Sequence, residues 1–184
     1  MKVVLHICCG VCAAGVVERL TSEGHEVIGL FYNPNIHPVE EYNRRLEVAN
    51  RVATEFGFPL TVPPYRPDEW FREAEPLADE PEGGRRCEIC FRLRLRKAHD
   101  HMIEQQADAF TTTLTIGPRK SAEVINRIGH EIDREHFLVR DFKKKAGFQR
   151  AIELAKQWEL YRQNYCGCIY SHHSNEGKRS VENG

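Results

Sequence analysis

The sequence predicts an α/β fold: an open, mostly parallel five-stranded sheet flanked by helices, Rossmann-like in plan. Short β-branched runs alternate with segments of helical period along the chain, the pattern of strand–helix–strand units. The first run, Lys2–Ile7, is short and largely apolar, as a strand covered on both faces must be. With 184 residues and 41% hydrophobic content, the chain has the size of one domain and enough apolar side chains for a core.

Each element has its own signal. Lys2–Ile7 is the first strand and Val11–Ser22 the helix after it. Glu26–Tyr32 is the second strand, stopped by Asn33-Pro34-Asn35. Val39–Phe56 is the clearest helix, because Val39, Tyr42, Leu46, Ala49, Ala53 and Phe56 recur every three to four residues and form one stripe. Pro38 suits its first turn and Gly57 its end. Pro59–Val62 is a third strand, Asp68–Leu77 a short helix, and residues 78–86 a polar loop. Glu88–Gln106 reads as helix, Ala109–Leu114 as strand, and Ser121–Ile128 as helix. Phe137–Phe142 is the fifth strand, before a helix at Gln149–Trp158. Residues 1–171 form a single catalytic domain in this reading, and residues 172–184 a polar tail expected to fray.

Formal net charge is −1, which does not announce a nucleic-acid binder. The cations are nevertheless clustered. Arg85, Arg86, Arg92, Arg94, Arg96 and Lys97 form one group, Arg119 and Lys120 a second, and Lys143, Lys144 and Lys145 a third. A solvated helix face explains any one of these runs. Three of them near predicted loops point to a polyanionic partner. The start, MKVVLHICCG, has neither the pattern of a signal peptide nor an apolar run of membrane-spanning length, so a cytoplasmic protein without a membrane partner is expected.

The cysteines carry the chemistry. All seven fall in three tight groups: Cys8, Cys9 and Cys12; Cys87 and Cys90; Cys166 and Cys168. An odd number excludes complete disulfide pairing. In a reducing compartment such groups bind metal or do redox work more often than they staple a fold. The first group stands at the end of strand one, where open α/β sheets bind ligands. Cys8 and Cys9 can face one metal only from a loop, since side chains alternate along a strand; the bland reading is two small residues packed at a strand end. Cys87 and Cys90 have the spacing that grips a metal from a helix start, where free N–H groups favour thiolates. Half of a zinc site shares that spacing. Cys166 and Cys168 flank Gly167 and suit a reducible dithiol, or two thiolates for a second metal. Four thiolates are the usual ligand set of a 4Fe–4S cluster. Cys8, Cys9, Cys87 and Cys90 are assigned to it, and Cys166 and Cys168 are left as a catalytic redox pair. Cys12 is the spare: a ligand to an adjacent second iron or other metal ion, or a buried thiol.

The strings LHICCGVC, FYNPNIHPVEEYNRR, EPEGGRRCEICFRLRL, AFTTTLTIGPRKS and FKKKAGFQRAIELAKQWELYRQNYCGCIYS together resemble the QueH-type epoxyqueuosine reductases over roughly residues 1–171, in the family's order. The resemblance implies reduction of epoxyqueuosine to queuosine at the wobble position of tRNA, with an iron–sulfur cluster and no cobalamin. It also implies that Cys8, Cys9, Cys87 and Cys90 match the family's metal motifs and that Cys166 and Cys168 match its C-terminal pair. The fold it implies resembles PP-loop, adenine nucleotide alpha hydrolase-like domains. Those carry a Gly/Ser-rich loop after strand one that cradles pyrophosphate. Here CCGVC occupies that place, which argues against ATP binding.

The expected partners are a tRNA anticodon stem-loop carrying epoxyqueuosine and an external electron donor. Arg85, Arg86, Arg119, Lys120, Lys143, Lys144 and Lys145 are expected to contact RNA phosphates. Trp70, Phe91 and Tyr170 are candidates for stacking on bases, and Tyr32, Tyr165, Asp141 and His6 for proton donation; for all of these, packing or hydrogen bonding within the protein is the simpler role. Two rival functions fit parts of the pattern: a cluster-dependent tRNA sulfur-transfer enzyme, and a non-catalytic zinc-binding module.

Overall fold

A computed structural model describes residues 1–171; the predicted tail, residues 172–184, lies outside the described residues. The strands are β1 (Lys2–His6), β2 (Glu26–Leu30), β3 (Leu60–Thr61) and β4 (Ala109–Thr112). They form an all-parallel sheet in the order β3-β2-β1-β4. His6 is opposite Leu30 on one side and Thr112 on the other, so β1 is central. The helices are α1 (Gly10–Ser22), α2 (Val39–Phe56), α3 (Pro67–Ala74), α4 (Arg85–Glu104), α5 (Ala122–Ile132) and α6 (Gly147–Gln157).

The alternation of β1 divides the core. Leu5 and Ile7 pack with Val16, Val17, Leu20, Val52 and Leu154 from α1, α2 and α6. Val4 packs with Phe91, Leu95, Ile125 and Ile128 from α4 and α5. Helices therefore cover both faces, which is why β1 lacks an exposed polar side. The core face of α2 is rotated from the expected stripe. Tyr42, Ala49 and Ala53 are buried as predicted, joined by Glu41, Arg45, Val48 and Val52, while Val39 is exposed. Gly10 explains how closely α1 starts against α2, because a side chain there would begin 2.6 Å from the carbonyl oxygen of Val48.

The sheet has four strands among the described residues, not five. The expected strand Phe137–Phe142 makes one bridge, Phe110 to Phe137. Its main chain exchanges bonds with β4 only through His136 O (3.0 Å) and Leu138 N (2.9 Å). Two residues later Asn126 of α5 takes the pairing groups instead: its Nδ2 donates to Arg140 O at 3.1 Å, and its Oδ1 accepts from Arg140 N at 3.4 Å. A carboxamide offers both a donor and an acceptor and so replaces a neighbouring strand. Helix α4 begins at Arg85, earlier than the expected Glu88, because Glu80 reaches forward to accept from Arg85 N at 3.2 Å. That puts Cys87 in the first turn.

The chain passes from β1 through β2 to β3 on one side, then crosses to β4 on the other. The switch point lies between the carboxyl ends of β1 and β4, where such sheets place ligands. Cys8 stands in this gap. Its N–H donates to Thr113 Oγ1 at 3.1 Å, bridging the loops that leave the two strands.

Candidate metal and redox site

The sulfurs of Cys8, Cys9 and Cys12 all lie within 4.8 Å of one another. Cys9 is the N-cap of α1, and its sulfur accepts from Cys12 N at 3.4 Å. Thr113 Oγ1 donates to Cys8 Sγ at 3.3 Å. The Cys8 thiol is held well below its usual range, first by hydrogen bonding with Cys12 and then with Cys9. Cys12 is pushed up correspondingly, by Cys8 first and Cys9 second. Three sulfurs this close together offer a set of ligand atoms that one cation could share.

The second group sits at the start of α4. Gly83 N donates to Cys87 Sγ at 3.2 Å. Cys90 is buried one turn on, and burial pushes its thiol up to about 11. Both α1 and α4 thus place cysteines in their first turns, at the end of each helix that carries partial positive charge.

The third group is carried by the loop after α6. Gly167 has φ of 101°, the left-handed region open mainly to glycine. A side chain there would begin 3.0 Å from both Arg45 Nη1 and Ile36 Cγ1. Arg45 clamps the loop: Nη1 donates to Cys166 O at 3.0 Å and Nη2 to Tyr165 O at 3.2 Å. Its Nε donates to Glu41 Oε1 at 2.6 Å, and Tyr161 donates to Glu41 Oε2 at 2.7 Å. His37 N donates to Gly167 O at 2.8 Å.

Two cavities join the three groups. A cleft of about 480 Å³ is lined by Cys8, Cys12 and Cys166. A smaller one of about 60 Å³ is lined by Cys87, Cys90, Cys166 and Cys168. Cys166, Arg94, Lys120, Arg119 and Glu82 border both. The sulfurs from the beginning, middle and end of the chain therefore meet around one pair of cavities. The larger cleft is cationic: Arg45, Arg94, Arg119, Lys120 and Arg162 line it, against the single carboxylate of Glu82. It also holds unused amide groups. Both amide atoms of Asn35, Oδ1 of Asn33 and Oε1 of Gln163 are buried without a partner among the described residues.

The cations singled out in the sequence take several positions. Arg119 is an exposed residue at the cleft, and Lys120 sits within it. Arg86 is turned inward, with Nη1 donating to the carbonyls of Leu77 (2.9 Å) and Ala78 (2.7 Å) and the guanidinium over the Tyr170 ring. Lys143 donates to Thr115 O at 3.2 Å and Lys120 O at 3.0 Å, bracing the loop that carries Lys120. Arg85, Lys144 and Lys145 are exposed and outside both cavity linings. Trp70 is completely buried and Phe91 is core, while Tyr170 packs on Trp70 and Arg86. Tyr32 donates to Glu69 at 2.6 Å. His6 is enclosed, and burial first, then Arg94, lowers it to about 4. Asp141 lies beside Lys143. Of the four proton-donor candidates only Tyr165 lines the cleft.

Sequence reasoning missed Arg45 and Asn35. Arg45 was readable in one respect: Glu41 stands four residues before it, a helical ion-pair spacing, but the pair reads as surface until α2 is seen to bury that face. Asn33 and Asn35 read as punctuation after β2.

A parallel sheet with thiols at its switch point, two further cysteine pairs beside them and a cationic cleft define an α/β protein with a thiol-rich site able to hold a metal. The chain belongs to the family described as Epoxyqueuosine reductase QueH, whose profile matches residues 3–174. Relatives named epoxyqueuosine reductase QueH include those of Streptococcus pyogenes (36% identical over 179 residues, 92% of this chain and 70% of the relative), Thermotoga maritima (33% over 177 residues, 92% and 89%) and Dehalococcoides mccartyi (33% over 181 residues, 96% of both). Among the described residues no helix is long and apolar enough to cross a membrane.

Proposed function

We propose that this chain reduces epoxyqueuosine to queuosine at the wobble position of tRNA, with residues 1–171 acting as one catalytic domain. Family membership supports the reaction class. The observation that carries the reading to this chain's own residues is the meeting of all three cysteine groups at two cavities that share Cys166.

The donor set fits an iron–sulfur centre. It consists of thiols, two of its groups stand at helix starts, and buried or half-buried cations face it, as suits an anionic cluster. Cys8, Cys9, Cys87 and Cys90 would hold a 4Fe–4S cluster, and Cys12 would bind a second iron or other metal ion beside it. The closeness of Cys12 to Cys8 and Cys9 favours a ligand role for it over that of a bystander. Bound there, the cluster would supply electrons singly from an external donor; no cobalamin is called for.

The residues of the chain do the rest. Epoxide removal leaves an alkene and water and requires two electrons and two protons. Cys166 and Cys168 form a dithiol able to provide both, and Arg45 fixes its position. The cleft volume lies in the range of pockets that enclose a small ligand, consistent with one extruded nucleotide rather than an intact loop. A carboxamide with both atoms unpaired, as in Asn35, matches the adjacent donor and acceptor on the edge of a guanine-type base. Arg119 and Arg162 at the cleft, with Arg85, Lys144 and Lys145 further out, would hold RNA phosphates.

The test uses protein prepared without oxygen and an RNA stem-loop carrying epoxyqueuosine, with nucleoside analysis of the product. Queuosine should accumulate with the native protein and not with Cys87→Ser or Cys166→Ser. Full activity in either variant removes that cysteine from the mechanism.

A further inference from the structure

Lys120 has surroundings unlike those of a surface lysine that meets a phosphate. It lies in the turn after β4, where its N–H donates to Gly117 O at 3.2 Å. Its own carbonyl is gripped by Lys143 Nζ at 3.0 Å, and Lys143 also holds Thr115 O at 3.2 Å. The turn is thus clamped from behind. Its side chain folds back across the turn, so that a side chain on Gly117 would begin 3.8 Å from the ammonium. Lys120 borders both cavities, the cleft with Cys8 and Cys12 and the smaller space with Cys87, Cys90 and Cys168, and Cys166 is common to the two.

The charges around it point the same way. The charged side chains that border both cavities with Lys120 are Arg94, Arg119 and the one carboxylate of Glu82, so cations outnumber acids there. Arg94 is only 2% exposed. Its Nε donates to Cys90 O at 3.0 Å, and Nη2 has no partner among the described residues. Lys120 and Arg94 border the same two cavities, and two like charges facing one space are stabilised when an anion comes between them. Arg119, the adjacent residue, is exposed and free to meet a phosphate outside.

We propose that Lys120 is a catalytic residue whose ammonium holds the epoxide oxygen of the substrate beside Cys166 while the carbon–oxygen bonds break. The proposal rests on the epoxyqueuosine reading and gives one residue of that site a different task from RNA contact. The oxygen of a three-membered ring gathers negative charge as each bond to carbon breaks. A fixed cation at that point acts mainly on the transition state. In the overall step both carbon–oxygen bonds break, an alkene forms, and the Cys166 and Cys168 thiols are oxidised to a disulfide. Their two protons leave with the oxygen as water. The two electrons lost by sulfur are those gained by carbon, and Lys120 ends the cycle with its charge unchanged.

The experiment compares native holoenzyme with Lys120→Met and Lys120→Arg. It measures kcat and KM on an epoxyqueuosine stem-loop, together with Kd for the same RNA at several salt concentrations. For Lys120→Met, kcat should fall by about 100-fold or more while KM and Kd stay within about twofold, and Lys120→Arg should recover part of kcat. A tenfold weaker Kd, a shallower salt dependence and native kcat would overturn the proposal and make Lys120 a phosphate contact. Native values of all three parameters would overturn it as well. Thermal melting and iron content accompany each variant; if Lys120→Met is unstable or poorly loaded, Lys120→Gln is judged by the same parameters. Native protein that binds the stem-loop but leaves epoxyqueuosine intact would instead remove the reductase reading, and this proposal with it.

Discussion

Arg45 on α2 donates through Nη1 to the main-chain oxygen of Cys166 at 3.0 Å, across 121 residues of sequence. The same guanidinium holds Tyr165 O and Glu41 and is 3% exposed. The position of the C-terminal cysteine pair is therefore set by a residue from the other end of the chain. Replacing Arg45 with Met leaves the Glu41 carboxylate buried without its cation and two carbonyls without donors. A loss of about 3–5 kcal/mol in stability is expected, read from chemical denaturation. Arg45→Lys should restore the charge but not the loop, because an ammonium lacks the planar fork that spans two carbonyls and a carboxylate. At temperatures where it is folded, Arg45→Lys should alkylate faster at Cys166 than the native protein.

Gly167→Ala should act on the same loop by another route. The left-handed φ of 101° disfavours any side chain, and the new methyl group meets Arg45 and Ile36. A loss of about 1–3 kcal/mol is expected, with a larger proportional fall in turnover if Cys166 and Cys168 are the proposed redox pair, since the displaced atoms lie between them. A melting temperature and turnover equal to native would show that the loop adapts freely.

Metal content separates the reductase from a zinc-binding module, and nucleoside analysis of the product separates it from a cluster-dependent sulfur-transfer enzyme. Protein purified without oxygen should be brown and contain iron and sulfide, and chelation or oxygen should bleach it. Cys87→Ser should lose iron, whereas Cys166→Ser should keep it and lose turnover. A colourless native protein carrying zinc would support the binding-module reading instead.

The RNA contacts divide by position. Neutralising Arg119 and Arg162 together should weaken stem-loop binding and lower the magnitude of its salt slope by about 1.4–1.8. Neutralising Lys144 and Lys145 should have a smaller effect, since both lie outside the cavity linings. Lys143→Met should leave the salt slope unchanged and lower kcat, because Lys143 braces the Lys120 turn. Filter binding across a salt series distinguishes the two behaviours.

Asn35→Ala should raise KM for the epoxyqueuosine stem-loop by roughly tenfold with little change in kcat, the cost of about one hydrogen-bonded edge. An unchanged KM would show that the buried amide meets water rather than the base.

Much of this was legible in the sequence because it follows from local spacing. The β-branched runs of β1 and β2, the three-to-four period of α2, its end at Gly57 and the grouping of the cysteines are properties of neighbouring residues, and they led to the right architecture. The fifth strand was not legible. Phe137–Phe142 has the composition of a strand, but Asn126, on another element, captures the main chain at Arg140. Arg86 and Lys143 read as surface cations for a similar reason: the carbonyls that engage them are brought there by loop paths.

The sequence by itself determined that seven thiols stand at the starts of two helices and in one glycine-centred turn, because helix caps and turn chemistry act over a few residues. Only the tertiary structure decided that members of all three cysteine groups line two neighbouring cavities, that Arg45 holds Cys166, and that Lys120 borders both cavities. Such relations arise from parallel pairing of distant strands and from packing helices on both faces of the sheet. Their distances depend on the whole path of the chain, which local spacing does not encode.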